Sequence, residues 1–130
     1  MERLLLDTHV VHWWSAEPDR LSKPAKGALE SADEFLVAAI SWYELGWLAR
    51  RGRIALDVPI RTWLDELAAN LRTIGITPAI VDTAVDLPSS FPGDPADRLI
   101  YATAIQQGAN LVTKDRAITE HDRPRSLVVW

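Results

Sequence analysis

The chain has no cysteine. Disulfides, thiolate nucleophiles and cysteine-bound zinc are therefore excluded together, and a reducing, cytoplasmic setting is expected. No apolar run approaches the roughly 20 residues that a membrane-spanning helix needs. The opening MERLLLD carries an acid at Glu2 and only a short apolar run, so no secretory leader is expected. Positive charge is scarce: 14 Lys and Arg stand against 18 Asp and Glu, a net charge of -4. That counts against bulk phosphate binding, although a carboxylate cluster built to hold cations would itself lower the formal charge. Neither a glycine-rich phosphate loop nor a GxSxG motif occurs. What the chain does have is apolar residues, 48% of 130, enough to bury the core of one domain spanning residues 1–130. Six tryptophans suggest aromatic anchors in that core or at a subunit interface.

No repeat, linker or low-complexity segment divides the chain. Strands are expected at Arg3–Leu6, Glu34–Ala38, Thr73–Thr77, Asn110–Thr113 and Ser126–Val129. Helices are expected at Val10–Ser15, Ser22–Ala32, Ser41–Arg51, Ile60–Asn70, Pro78–Leu87 and Ala96–Gln107, with a short turn at Arg116–Glu120. Ser22 is a cap, and Gly52 and Gly108 are natural helix stops. Pro88–Pro95 (PSSFPGDP) is a loop dense in turn residues. Strands alternate with helices, so the fold class is α/β with a mostly parallel sheet of about five strands. In such sheets ligands lie beyond the carboxyl ends of the strands, at the switch point in strand order.

Four acids point to that edge. Asp7 ends the apolar run LLL, Glu44 begins the helix after EFLVA, Asp97 begins the helix after PGDP, and Asp115 follows NLVT. Each also has a capping reading. Asp7 and Asp115 precede helical stretches, Ser41-x-x-Glu44 fits a capping box, and Asp94-Pro95-Ala96-Asp97 reads as cap, proline and first-turn acid. Four acidic caps gathered at one edge would repel one another, and a divalent cation relieves that repulsion. Oxygen ligands without Cys or His suit Mg²⁺ or Mn²⁺, whose chemistry includes phosphodiester hydrolysis and phosphoryl transfer. Thr8 and Thr113 are hydroxyls beside two of the acids, placed to orient a ligand, a water or a phosphate.

The segments LLLDTHVVHW, ISWYELGWLARRGRI, FPGDPADRLIYATA and LVTKD occur in an order and spacing that resemble PIN-domain proteins, specifically the VapC-like toxin ribonucleases of type II toxin–antitoxin pairs. The resemblance covers nearly the whole chain. It implies an α/β/α sandwich and a Mg²⁺- or Mn²⁺-dependent endoribonuclease acting on RNA. It also implies a cognate antitoxin that blocks the site, usually with a basic or aromatic segment, and a toxin homodimer. Carried over by position, Asp7, Glu44, Asp97 and Asp115 are the acidic metal-site residues and Thr8 a supporting hydroxyl. Asp94 is read as a turn or cap residue, with an outer role at the site as the alternative.

Arg98, Lys114 and Arg116 neighbour the proposed site acids and are candidate contacts to substrate phosphates. Arg50, Arg51 and Arg53 suit a helix C-terminus, with RNA contact as the alternative. His9 and His12 share a spacing that a zinc site could use, but no third nitrogen or sulfur ligand is evident. Trp42, Tyr43 and Trp47 are expected in the core, with a partner interface as the alternative. Two rival functions come from other classes. One is a non-catalytic PIN-like interaction module whose acids serve only as caps. The other is a receiver-like phospho-acceptor domain, which the chain does not suit: only Asp7 ends its first strand, and its mid-chain acid, Glu44, lies on a helix.

Overall fold

Leu4, Leu5 and Leu6 have no solvent exposure, so strand β1 (Arg3–Leu6) must be covered on both faces. A run of consecutive apolar residues without alternation is what a central parallel strand requires. The computed structural model, which describes residues 2–123 and 125–130, shows how this is met. Strands β1, β2 (Glu34–Ala38), β3 (Arg72–Ile74), β4 (Asn110–Val112) and β5 (Val128–Val129) form one sheet in the order β3-β2-β1-β4-β5, every neighbouring pair parallel. Helices α1 (Thr8–Ala16), α2 (Lys23–Ser31), α3 (Ala39–Arg50) and α4 (Ile60–Ala68) precede β3. Helices α5 (Pro78–Asp86), α6 (Pro95–Gln107) and α7 (Arg116–Glu120) follow it, and a 3-10 turn spans Pro18–Arg20.

Because successive strand residues face opposite sides, β1 feeds two cores. Leu5 joins Leu36, Ile80, Ile100, Leu111 and Ile118 on one side of the sheet. Leu4 and Leu6 join Val10, Val11, Val37, Leu45 and Val112 on the other. The result is an α/β/α sandwich. Strand order runs outward from β1 through β2 to β3, then returns to β4 on the other side of β1. The switch point therefore lies between β1 and β4, where the Asp7 N–H donates to Val112 O at 3.0 Å.

Element boundaries differ from expectation for local reasons. Helix α1 begins at Thr8, two residues early, because Asp7 is its cap. Helix α3 begins at Ala39, and its cap position, Ala38, has no side-chain bond. Ser41 is thus not a cap, and the capping box at Ser41–Glu44 does not form. Strand β3 lies at Arg72–Ile74 and does not reach Thr77, whose side chain instead caps α5 by accepting from Ile80 N at 3.2 Å. Strand β5 shrinks to Val128–Val129 because Asp122 accepts the N–H groups of Leu127 and Val128, and Ser126 takes a left-handed φ of 55°. Tyr43 and Trp47, expected in the core, are 68% and 48% exposed, while Trp42 is half-buried and donates its indole N–H to Thr73.

Candidate active site

Asp7 stands at the switch point because β1 ends there and α1 starts there. Its Oδ1 accepts the Thr8 N–H at 2.8 Å, and its Oδ2 accepts the Thr113 hydroxyl at 2.5 Å. Burial pushes the Asp7 carboxyl above its usual range, against the pull of those two hydrogen bonds. Thr113 is fully buried just past β4 and also accepts the Asp115 N–H at 3.0 Å, so one hydroxyl ties the ends of β1 and β4 together. Asp115 caps α7, accepting Ile118 N–H at 3.1 Å.

Glu44 lies in the second turn of α3, deeper than a first-turn acid. It accepts the buried Thr8 hydroxyl at 2.6 Å, and that hydroxyl lies 3.0 Å from Ser41 Oγ. Burial raises the Glu44 carboxyl, with the charges of Asp7 and Asp94 adding to it. Thr8 thus spans the first two acids, its backbone on Asp7 and its side chain on Glu44. On α6, Asp94 is the cap and takes the N–H groups of both Ala96 and Asp97. The Asp97 carboxylate is left with no cap to make. Burial, then Asp94, Asp115, Asp7 and Glu44 in turn, push it up to about 7. The four acids therefore feel one another across four separate segments, and Asp94 adds a fifth charge.

The acids are neighbours but not a ready cage. Among the described residues no three His, Asp or Glu side chains converge as a group that would hold a metal. Hydrogen bonds to Thr8, Thr113 and backbone N–H groups hold Asp7, Glu44 and Asp115 in their present directions.

Two clefts flank the acids. One, of about 630 Å³, is bordered by Asp7, Asp115, Trp13, Trp130, Lys114 and Arg116. The other, of about 360 Å³, is bordered by Thr8, Glu44, Tyr43, Trp47 and Asp94. His9 is exposed and borders both, its ring 5.7 Å from that of Trp13. His12 turns elsewhere, bonding Glu17 at 3.0 Å and meeting Trp63 edge-on, so the two histidines do not share a site.

Lys114 and Arg116 are exposed at the first cleft, but Arg98 is a correction. Its guanidinium donates to five backbone carbonyls, those of Pro92, Ala84, Leu87, Pro88 and Phe91, at 3.0 to 3.4 Å. An arginine has five N–H donors, so none is left for a phosphate. Arg98 fastens the end of α5 and the loop before α6, and so sets where Asp97 stands. Arg51 also has a local partner, its guanidinium 4.5 Å from the Trp47 ring centre. Ser41 as a site neighbour and Trp13 and Trp130 as cleft walls emerge only in the folded chain. An i, i+3 spacing from Ser41 to Glu44 was the available signal for the first, but nothing local linked Trp130 to Trp13.

A parallel α/β/α sandwich with carboxylates gathered at its switch point defines a class of protein, and the family comparison agrees. The model of the PIN domain matches residues 4–124, and the chain belongs to the PIN-domain family as a VapC-like member. Over 130 residues, the full length of both chains, it is 62% identical to Ribonuclease VapC22 of Mycobacterium tuberculosis. Among solved structures it resembles a toxin–antitoxin complex from Klebsiella pneumoniae, with TM-score 0.69, 21% identity, and 98% and 96% of the two chains covered. It also resembles VapBC2 from Rickettsia felis bound to a promoter DNA fragment, with TM-score 0.71, 17% identity, and 97% and 96% covered. At these identities the two structures speak for the fold alone.

Proposed function

We propose that this protein is the toxin of a type II toxin–antitoxin pair and an endoribonuclease that uses Mg²⁺ or Mn²⁺ held by Asp7, Glu44, Asp97 and Asp115. The observation that carries this is the state of Asp97: a half-buried carboxylate pushed to about 7 by burial and by four other acids, with no cap to make. Structural acids are satisfied by their donors, whereas this one is left unbalanced. Asp7, Asp94 and Asp115 do cap helices, but Glu44 and Asp97 do not, so a module whose acids are only caps leaves those two unexplained.

The donor set fits a hard divalent cation: carboxylate oxygens from four segments, with hydroxyls behind them. When bound, such an ion polarises a phosphoryl oxygen and lowers the pKa of an attacking water. The chain's own residues do the remaining work. Thr113 and Thr8 orient Asp7 and Glu44, Asp94 holds the start of α6 so that Asp97 faces the others, and Lys114 and Arg116 meet the RNA phosphates. The full-length relative's name, a ribonuclease, supports RNA as the substrate.

The toxin–antitoxin assemblies among the structural neighbours support a cognate antitoxin as partner. Exposed Tyr43 and Trp47, one and three residues from Glu44, give it an anchor from which a basic segment would reach the acids. A homodimer is the second assembly this reading includes. The test is cleavage of total RNA by purified, antitoxin-free protein. Cutting is expected with Mg²⁺ or Mn²⁺ and is lost with excess chelator, and undiminished cutting in chelator refutes the metal site.

A further inference from the structure

The larger cleft beside the acids holds a combination that the four carboxylates do not need. The indoles of Trp13 and Trp130 meet at 54° with ring centres 6.0 Å apart, forming an angled aromatic wall, and both are half-buried. Lys114 Nζ lies 5.9 Å from the Trp13 ring centre, within reach of the ring's negative face. Lys114 and Arg116 flank Asp115 in sequence and share the cleft with Asp7 and Asp115, yet neither forms a salt bridge among the described residues. Two unpaired cations, an aromatic wall and an open end at the acid cluster occur together.

Each part narrows the occupant. Unpaired cations select an anion, and they would repel the basic segment expected of an antitoxin. An aromatic wall selects a flat π face, which every nucleobase has. Continuity with Asp7 and Asp115 selects a ligand that also presents a phosphodiester to the acids. We propose that this cleft is a subsite for one unpaired nucleotide next to the scissile bond, its base stacked on the Trp13–Trp130 wall and its phosphate on Lys114 and Arg116. This rests on the ribonuclease reading above and adds a consequence of its own. A base in a duplex is already stacked and cannot reach the wall, so only an unpaired base can occupy the subsite.

Trp130 is partly buried and packs against one of the two cores, so the melting temperature of Trp130→Ala is compared with wild type first, and Trp130→Phe keeps both a packing and a stacking face. The full-length protein is titrated, in chelator so that nothing is cut, with a fluorescein-labelled single-stranded RNA 12-mer and with the same sequence as a duplex. Cleavage is then measured with Mn²⁺. Trp130→Ala should weaken single-strand binding and raise KM by about tenfold with little change in kcat, as expected for one lost base stack. Trp130→Phe should recover most of it, and duplex binding, carried by charge alone, should not change. Lys114→Ala should weaken binding and reduce its salt dependence. If the wild type cuts RNA and Trp130→Ala matches it in KM, the subsite is wrong while the ribonuclease reading stands. If the wild type neither cuts nor binds RNA, both fall. Unchanged RNA binding by Trp130→Ala with weakened antitoxin binding would assign the cleft to the protein partner instead.

Discussion

Two carboxylates, one before β4 in the chain and one after it, show how differently the same side chain can be satisfied. Asp122 is 6% exposed and accepts three hydrogen bonds, from the Tyr101 hydroxyl at 2.6 Å, Leu127 N–H at 2.9 Å and Val128 N–H at 2.8 Å. It brings β5 to the sheet, and its partner Tyr101 is pushed up by burial and by donating to it. Asp97 is half-buried, and burial together with Asp94, Asp115, Asp7 and Glu44 favours its protonated form. Buried polar groups cost stability unless they are paired. Asp122 is paired by protein donors, whereas among the described residues no hydrogen bond reaches the Asp97 carboxylate.

The sharpest break between the two is Asp97→Asn. It should abolish RNA cleavage by at least about a hundredfold, since the position of the attacking groups depends on it. It should change metal-free stability little, because Asn removes one charge from a repelling cluster. Melting with and without Mn²⁺ completes the test: the wild type gains from the ion and the mutant gains much less. Normal cutting together with an equal gain would make Asp97 an ordinary first-turn acid.

Asp122→Asn should do the reverse. An amide places an N–H₂ against at least one of three groups that are all donors, at a cost of about 2–3 kcal/mol. That corresponds to a fall in melting temperature of roughly 10 °C. The gain from Mn²⁺ should persist. A loss of the metal response with melting unchanged would exchange the roles assigned to the two acids.

Arg98→Lys tests the latch behind Asp97. Lysine keeps the charge but has three donors in place of five, so stability should drop by about 1–2 kcal/mol. RNA binding should stay as it was, because no phosphate contact is lost. Weaker RNA binding with unchanged melting would restore Arg98 as a substrate contact.

The remaining contrast is in the pH dependence. Folded Asp97 titrates at about 7, against 3.8 for an ordinary aspartate. Between those values the folded chain keeps a proton that the unfolded chain has released. Metal-free stability therefore falls as pH rises from about 4 to about 7. Burial acts on Asp7 and Glu44 in the same direction. Thermal melts across that range should show a shallower fall for Asp97→Asn than for wild type, and saturating Mn²⁺ should remove the fall. Parallel curves for the two proteins would remove Asp97 from the shared cluster.

Much of this was legible in the linear chain because its causes are local. The apolar runs LLL and FLVA define β1 and β2, caps such as Ser22 and Asp94 mark helix starts, and Gly52 and Gly108 take the positive φ that ends α3 and α6. The alternation of elements, and acids placed after strands, then led to a parallel sheet with carboxylates at one edge. Tertiary structure decided which acids are spent. Asp94 and Asp97 are three residues apart on one helix start, yet only the first is used as the cap. It also turned Arg98 inward onto carbonyls up to 14 residues away and turned Tyr43 and Trp47 outward. Thr113 meets Asp7 across 106 residues, and Trp130 closes a cleft against Trp13. Propensity and periodicity act over about ten residues, so they specify elements. Whether a charged or aromatic group is satisfied depends on what packs beside it, and here those neighbours come from the far end of the chain.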